Sequence, residues 1–333
     1  MPADSSPRIY LALGLGVISF AFAPILVRWA GDVPGLAIAV WRTATAAAVL
    51  VPPALVRAGP EVRQFTTRDV GLILGAGVFL GLHFIAWIES LYHTTVASAS
   101  VLVTTSPLLL AVLGYLVLGE RLRRMTVLAI GASVGGAALI GWADAGTGTL
   151  GRGALWGNAL AFAGAVLVSA YLLIGRVVRQ KVSWLAYVTP LYAVAALTAL
   201  AAALWKGVPL FGYSWTVYGL CVGLALGPQV LGHGSFNYAL QHVPAAIVGL
   251  LALLEPVGAS VLAYALFGEV PPLPSIVGMG VVMAGVAVVV WGRNTAPDEE
   301  GVYPYVCTFP GHGFVMYGAM YVSGEGEDAM PPL

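Results

Sequence analysis

The chain has 333 residues, of which 59% are hydrophobic and 9% are charged, and its formal net charge is zero. Soluble domains carry roughly 25% charged residues, so this chain lacks the groups that a water-facing surface needs, which excludes an ordinary soluble domain. The zero net charge gives no argument for a nucleic-acid partner.

Ten long apolar stretches succeed one another along the chain, and short polar segments connect them. A helix needs about 20 mostly apolar residues to span a bilayer, and spanning segments must be helical because lipid offers no partner to unpaired backbone groups. We therefore predict an all-α integral membrane protein with ten transmembrane helices, placed at residues 9–28, 34–56, 69–92, 95–118, 125–142, 153–175, 184–205, 213–238, 244–267 and 273–292.

Lysine and arginine are distributed unequally between the two ends of these helices. If the N-terminus is cytoplasmic, eleven basic residues lie on the cytoplasmic side, whereas Arg28, Arg152 and Lys206 lie on the other side. Basic residues accumulate in cytoplasmic loops. The distribution therefore predicts a multi-pass protein of the cell inner membrane with both ends of the helical region in the cytoplasm.

The two halves of the chain repeat each other. Shifting residues 91–142 by 149 places them on 240–291 without a gap, and fourteen of the 52 positions match. We predict a first five-helix repeat at 1–143, a second at 144–293 and a C-terminal tail at 294–333. Because five is odd, the second repeat is inverted in the membrane, as in many secondary transporters, which bind substrate between the halves.

Polar residues at membrane depth are costly and mark candidate sites. Gln229, His233 and Asn237 are spaced by four in the eighth predicted helix, so they are expected to form one stripe on one helical face. The stripe either lines a substrate path or makes hydrogen bonds between helices. Gly227-Pro228, just before it, predicts a kink.

The third predicted helix carries a second histidine, His83, with Trp87 four residues later. The repeat places His83 next to His233, so the two inverted helices each hold a histidine near mid-span. The pair could bind substrate or exchange protons, or each ring could simply be satisfied by a neighbouring helix. Trp87 and Tyr171, both near mid-span, are candidates for cavity walls that suit an aromatic group or a cation.

Two residues of opposite charge also fall inside predicted helices. Arg42 could hold a substrate carboxylate, pair with a carboxylate of the bundle, or extend toward the surface. Glu255 precedes Pro256, at the position that Ser106 occupies in the first repeat. It could neutralise Arg42, bind an ammonium group or carry a proton.

Several short motifs together resemble a known family. They are Trp41-Arg42, the stretch 90–99 that leads to Pro107 and Gly119-Glu120-Arg121, and the second-repeat motifs Glu255-Pro256-Val257 and Gly268-Glu269. In this register they resemble the EamA-type members of the drug/metabolite transporter superfamily, and within it the YddG-type aromatic amino acid exporters. The resemblance implies ten helices, cytoplasmic ends and export of amino acids or related metabolites. Both glutamates of the Gly-Glu motifs are interpreted as structural.

The tail differs in character from the rest of the chain. Residues 303–316 resemble the last ligand loop of blue copper proteins, with Cys307, His312 and Met316 at the spacing of copper ligands. Such a domain needs about a hundred residues, and only its last two strands could be present here. No second histidine ligand precedes the loop in a suitable strand. We therefore interpret the tail as a fused fragment and expect no metal or cofactor.

The chain contains no phosphate-binding loop, so we do not expect it to drive transport with ATP itself. It contains no catalytic motif of the hydrolase or metalloprotease type, which argues against an enzyme. The main hypothesis is a secondary transporter in the lipid bilayer for a small molecule, an amino acid or related metabolite, with coupling to protons left open. The alternatives are an uncoupled facilitative pore and a membrane redox or copper protein.

Overall fold

The structure is a computed structural model. It describes residues 6–94, 99, 102–103, 105–120, 122–145, 152–268, 273–294, 301–307 and 316–322, which belong to two compact units, Met1–Val286 and Ala287–Leu333. The main elements are α1 (Ser6–Ala21), α2 (Ala23–Trp29), α3 (Gly35–Arg57), α4 (Gly59–Val62), α5 (Thr67–His93), α6 (Ser106–Leu118), α7 (Arg124–Ala145), α8 (Arg152–Val178), α9 (Trp184–Trp205), α10 (Trp215–Leu224), a π-helix (Ala225–His233), α11 (Gly234–Ala239), α12 (Ala245–Ala252), α13 (Leu254–Phe267), α14 (Leu273–Asn294), β1 (Gly301–Cys307) and β2 (Met316–Val322).

Seven helical stretches within the described residues are long and apolar enough to cross a membrane: Ile9–Trp29, Gly35–Arg57, Thr67–His93, Leu155–Val178, Trp184–Trp205, Trp215–Ala239 and Ala245–Leu266. Three shorter apolar helices, Ser106–Leu118, Arg124–Leu139 and Ile276–Val289, lie where the fourth, fifth and tenth spans are predicted. The predicted fourth span, 95–118, falls partly outside the described residues. The prediction of an α-helical membrane protein is confirmed for the described residues between 6 and 294. The total of ten spans stays a prediction.

Local sequence signals fix where several helices begin and end. The Thr66 hydroxyl accepts a hydrogen bond from the Asp69 backbone N–H while the Asp69 carboxylate accepts from the Thr66 N–H, which caps α5. At the other end of two helices, Gly119 and Gly268 come directly after α6 and α13 with φ of 67° and 68°. Glycine tolerates this left-handed conformation without strain, so the glycine of each Gly-Glu motif ends the equivalent helix in the two halves.

Helix α5 is the centre of the packing in the first unit, because it lies against α8 and α9, and α9 also packs on α3. The α5–α9 contact depends on small residues. A Cβ added to Gly77 would lie 2.5 Å from the Val194 Cβ, closer than any real contact allows. Glycine therefore lets the two backbones approach, as is usual for helices in lipid.

The eighth predicted helix is regular only at its two ends. Between α10 and α11, residues Ala225–His233 form a π-helix with Pro228 inside it. Proline lacks an N–H and clashes with the carbonyl of the preceding turn, and a π-helix relieves such a clash by lengthening the turn by one residue. Each inserted residue rotates the next part of the helix by about 100° relative to an unbroken α-helix.

The second unit contains a two-stranded antiparallel hairpin, β1–β2. In its register Gly301 pairs with Val322 and Cys307 with Met316. The hairpin lies in the tail, where the sequence allows only the last two strands of a blue copper domain. His312 lies outside the described residues.

Candidate functional site

A cavity of about 70 Å³ lies among helices from both halves of the chain. Most of its wall is aromatic or aliphatic, and its polar members are an arginine, a glutamate, two histidines, a tyrosine and a serine. The lining residues are Phe20, Ala23, Arg42, His83, Phe84, Trp87, Val103, Ser106, Val168, Tyr171, Leu172, Pro228, His233, Phe236, Gly249, Ala252 and Glu255.

The two histidines lie next to each other in the wall of this cavity, with ring centroids 6.1 Å apart in an edge-on arrangement. His83 Nδ1 lies 2.9 Å from the Gly164 carbonyl oxygen. Because a carbonyl only accepts, His83 Nδ1 carries a proton in this bond, and Nε2 is the nitrogen left to bind a further proton or a ligand. A hydrogen bond of 2.9 Å joins His233 Nδ1 to the Tyr171 hydroxyl.

Aromatic rings surround His233 and fix its orientation. The rings of Phe20 and Phe84 meet it edge-on, with centroid distances of 4.8 and 5.0 Å, and Phe20 makes a similar contact with Phe236. Edge-to-face contacts of this kind are favourable beyond the area that they bury. The histidine pair therefore sits in an apolar frame that holds its geometry.

Arg42 is the principal cation of the site, and its side chain is almost fully buried. Its Nε donates a 3.2 Å hydrogen bond to the Gln229 side-chain oxygen. The guanidinium carbon lies 4.0 Å from the centre of the Phe84 ring, a cation–π contact. Among the described residues no carboxylate lies within ion-pair distance of Arg42.

Glu255 places a carboxyl group in the same wall, in the first turn of α13. The site thus contains a cation and an acid that line one cavity without a direct ion pair between them. Charges in such an apolar, buried setting interact more strongly with a ligand than they would in water.

The structure brings six of the eight predicted site residues to this cavity. They are Arg42, His83, Trp87, Tyr171, His233 and Glu255. The other two, Gln229 and Asn237, are fully buried but do not line it. The Gln229 side-chain oxygen accepts a hydrogen bond from Arg42, and the Asn237 amide donates to the His233 carbonyl at 2.8 Å. The π-helix explains why these two residues do not line the cavity together with His233. The prediction of one stripe assumes a regular α-helix, in which residues four apart share a face. A role in substrate binding stays a prediction for all eight.

Sequence reasoning missed the apolar part of the wall, above all Phe84, Phe20 and Phe236. Apolar residues in a membrane helix carry no signal that distinguishes a cavity from the lipid. Ser106 is different, because it stands 149 residues before Glu255 and both line the cavity. The repeat could therefore have identified Ser106 as a site residue.

A second group of charges lies at the end of the bundle where α5 begins and α8 ends. Arg176 Nε lies 2.8 Å from the Glu120 carboxylate, and Lys181 Nζ lies 2.6 Å from the Asp69 carboxylate. Each pair joins a carboxylate of the first half to a cation of the second. We call Asp69, Glu120, Arg176 and Lys181, together with Arg179, the basic-end network.

Arg179 is the most buried member of this network. It donates to the carbonyl oxygens of Asn237 and Val182 and, at 2.9 Å, to the Gln241 side chain. Burial lowers the pKa of Arg179 from its usual value, but a guanidinium remains charged at neutral pH. Its donors therefore hold the carbonyl end of α11 against the segment between α8 and α9.

No cluster of three or more potential metal ligands occurs among the described residues. Cys307 and Met316 are register partners at one end of the hairpin. The third residue of the copper motif, His312, is not within the described part, so the interpretation of the tail stays a prediction.

A bundle of long apolar helices around a small, largely apolar cavity with a few convergent polar groups defines a polytopic membrane protein of the transporter class. The sequence profile of the EamA-like transporter family matches residues 7–142 and again 155–291. The chain therefore belongs to the EamA-like transporter family. This confirms the resemblance to EamA-type transporters and the expectation that the chain is not an enzyme, whereas the resemblance to YddG-type exporters stays a prediction. The double match fits a repeat architecture.

Three relatives of the chain are named as transporters or as an exporter. The chain is 26% identical to the uncharacterized transporter YetK of Bacillus subtilis, over 70% of this chain and 71% of that protein. It is 28% identical to an uncharacterized transporter of Archaeoglobus fulgidus, over 68% and 80%. It is also 28% identical to a probable terminal-alkyne amino-acid exporter of Streptantibioticus cattleyicolor, over 84% and 92%.

A crystal structure matches with a TM-score of 0.72, covering 87% of this chain and 99% of the other. The identity of that pair is 20%, so the match shows the fold alone.

Proposed function

We propose that the chain is a secondary transporter that exports amino acids or related small metabolites by alternating access. The proposal is carried by one observation, that Arg42 and Glu255 line the same small and largely apolar cavity. A guanidinium binds a carboxylate in a defined geometry, and a carboxylate binds an ammonium group. The cavity therefore offers a partner to each charge of a zwitterion, and its aromatic wall suits an apolar or aromatic side chain.

The size of the cavity favours a carrier over an open pore. At roughly 10–15 Å³ for each water, 70 Å³ holds about five waters. Pockets that bind small molecules measure about 300–1,000 Å³. The cavity must widen before a substrate can enter, and relative motion of two halves around a fixed site provides such widening.

The remaining parts of the proposal come from the sequence and from one relative. Two inverted five-helix repeats, ten spans and cytoplasmic ends in the inner membrane are inferred from the repeat and the basic residues. Amino-acid export is supported by the name of the relative from Streptantibioticus cattleyicolor. His83 and His233 are the candidates for proton coupling, since their rings are neighbours in the cavity wall.

A counterflow experiment tests the proposal. Purified protein is reconstituted into vesicles loaded with one unlabelled amino acid, and uptake of the same labelled amino acid is measured for aromatic, branched and polar members in turn. A carrier gives a transient accumulation of label above equilibrium, strongest for aromatic or branched amino acids. Equilibration without overshoot would indicate a facilitative pore, and no uptake of any amino acid would contradict the substrate class.

The orientation has its own test. Single cysteines in the connection at residues 122–124 and in the tail after residue 294 should both be labelled by an impermeant reagent only from the cytoplasmic side. Labelling of the two positions from opposite sides would contradict the inverted repeat.

Proton coupling is tested with an imposed pH gradient across the same vesicles. Uptake that responds to the gradient in the wild type and loses the response in His83→Gln supports coupling through the histidine pair. Uptake that ignores the gradient identifies an uncoupled carrier.

A further inference from the structure

Arg42, the buried cation of the cavity, bonds to a neutral amide and not to a carboxylate. Its Nε donates to the Gln229 oxygen at 3.2 Å, and within the described chain this is the hydrogen bond formed by its guanidinium group. The Phe84 ring covers one face of the guanidinium at 4.0 Å. An amide accepts the hydrogen bond without neutralising the charge, so Arg42 keeps its full attraction for an anion.

These two contacts leave a defined part of the guanidinium free. A guanidinium has five N–H donors in a rigid plane. The Gln229 bond fixes the Nε edge of that plane, and Phe84 fixes one of its faces. The edge formed by Nη1 and Nη2 remains, and this edge is the one that binds a carboxylate through two parallel hydrogen bonds.

Gln229 itself is held firmly. It lies in the π-helix Ala225–His233 and is fully buried. Its backbone carbonyl accepts from the Gly234 N–H and, at 2.8 Å, from the Tyr192 hydroxyl, so a neighbouring helix fixes the position of its backbone. The side-chain Nε2 has no partner among the described residues. An unpaired buried donor destabilises a fold, so stability alone does not favour glutamine here.

We propose that Gln229 is a positioning residue, which orients Arg42 so that the substrate carboxylate binds through Nη1 and Nη2 while the charge of Arg42 stays uncompensated. This inference rests on the proposed function and adds the residue that determines its selectivity for carboxylates. Gln229 does not line the cavity and acts through Arg42.

Two variants test the role. Gln229→Met keeps the approximate volume and removes the acceptor, so Arg42 loses its orientation. Gln229→Glu keeps an acceptor but adds a negative charge that competes with the substrate for Arg42. The probes are L-phenylalanine and its carboxamide, which differ only in the carboxylate. For both variants we expect the KM of the acid to rise about tenfold, as for a weakened ionic contact, and the KM of the amide to stay within about twofold.

A spectroscopic measurement separates positioning from a general structural defect. In protein labelled with ¹⁵N-arginine, the Nε–H resonance that disappears in Arg42→Gln belongs to Arg42. It should shift in both Gln229 variants and stay in place in Ser133→Ala. This control also alters a residue that has a buried polar atom without a described partner, in this case a hydroxyl. The same control should leave both KM values unchanged.

The inference is overturned if wild-type transport is present and the Gln229 variants change the KM of acid and amide equally, or change neither. It is also overturned if the Arg42 resonance does not move. A wild-type protein that transports neither probe nor any other amino acid would contradict the proposed function, and this inference with it.

Discussion

Arg42 in the central cavity and the paired cations Arg176 and Lys181 of the basic-end network have opposite kinds of partner. In the cavity, Arg42 is bound by the neutral Gln229 and has no carboxylate partner among the described residues. In the network, Arg176 and Lys181 bind Glu120 and Asp69 directly, across the two halves of the chain. Charges of the first kind remain available to a ligand, whereas charges of the second kind are used to hold the halves together.

This difference predicts where mutations separate transport from stability. Removing a charge from the cavity should reduce transport and leave the folded state nearly unchanged, because no protein ion pair is lost. Removing a charge from the network should lower stability and leave substrate preference unchanged. The expected effects on transport decrease from the cavity through the network to the tail.

The largest effect is expected for Arg42→Gln. In the proposed function Arg42 forms a buried charge pair with the carboxylate of the substrate. Loss of one partner of such a pair costs about 3–5 kcal/mol, so kcat/KM for an amino acid should fall about 100-fold or more. Counterflow in reconstituted vesicles measures it. The matched control is Arg57→Gln, which removes the same charge from an exposed position on the same helix. Equal transport by both variants would remove Arg42 from the substrate path.

Glu255→Gln should have the next largest effect on transport, and it should weaken recognition of the ammonium group of the substrate instead of the carboxylate. Without the carboxylate the cavity loses its partner for the ammonium group, so the preference for L-phenylalanine over N-acetyl-L-phenylalanine should fall about tenfold, the size of one ionic contact. Competition of each compound against labelled phenylalanine measures the preference. An unchanged preference, with transport reduced equally for both, would assign Glu255 to the translocation step instead of to binding.

The sequence predicts much of the frame because the bilayer imposes strict conditions on it. Long apolar runs must be helices in lipid, and the residues that break this apolar pattern, such as Arg42, His83 and Glu255, all lie at one cavity. The positions of prolines also explain two breaks in helices that the apolar pattern alone does not predict. The first predicted span divides at Phe22 before Pro24, and the ninth divides at Leu253 before Pro256.

The register of the eighth span could not be predicted in the same way. The spacing of Gln229, His233 and Asn237 suggests one stripe only if the helix is regular, and Pro228 signals an irregularity without giving its form. The π-helix separates the three, so that His233 alone of them lines the cavity. The Arg42–Gln229 bond joins residues 187 apart in the chain, and no local pattern reveals such a contact.

A smaller effect is expected in the network for Glu120→Gln, which breaks the pair with Arg176. Both side chains are about one-fifth exposed, and partly exposed pairs contribute up to about 1 kcal/mol. The Tm should fall by no more than about 4 °C, while the KM values of L-phenylalanine and its amide stay within about twofold. A change in the ratio of these KM values would show that the network participates in selecting the substrate.

The smallest effect is expected from deletion of residues 295–333. The residues that line the cavity lie between Phe20 and Glu255, all within the first compact unit, and the deletion removes none of them. Counterflow by the shortened chain should therefore remain within about twofold of counterflow by the full chain. Metal analysis of the purified full chain should find no stoichiometric copper, because a Cys–His–Met set alone lacks the second histidine of a blue copper centre. Copper near one per chain, lost together with transport on deletion, would contradict the interpretation of the tail as a fused fragment. It would instead link a metal site to the transport cycle.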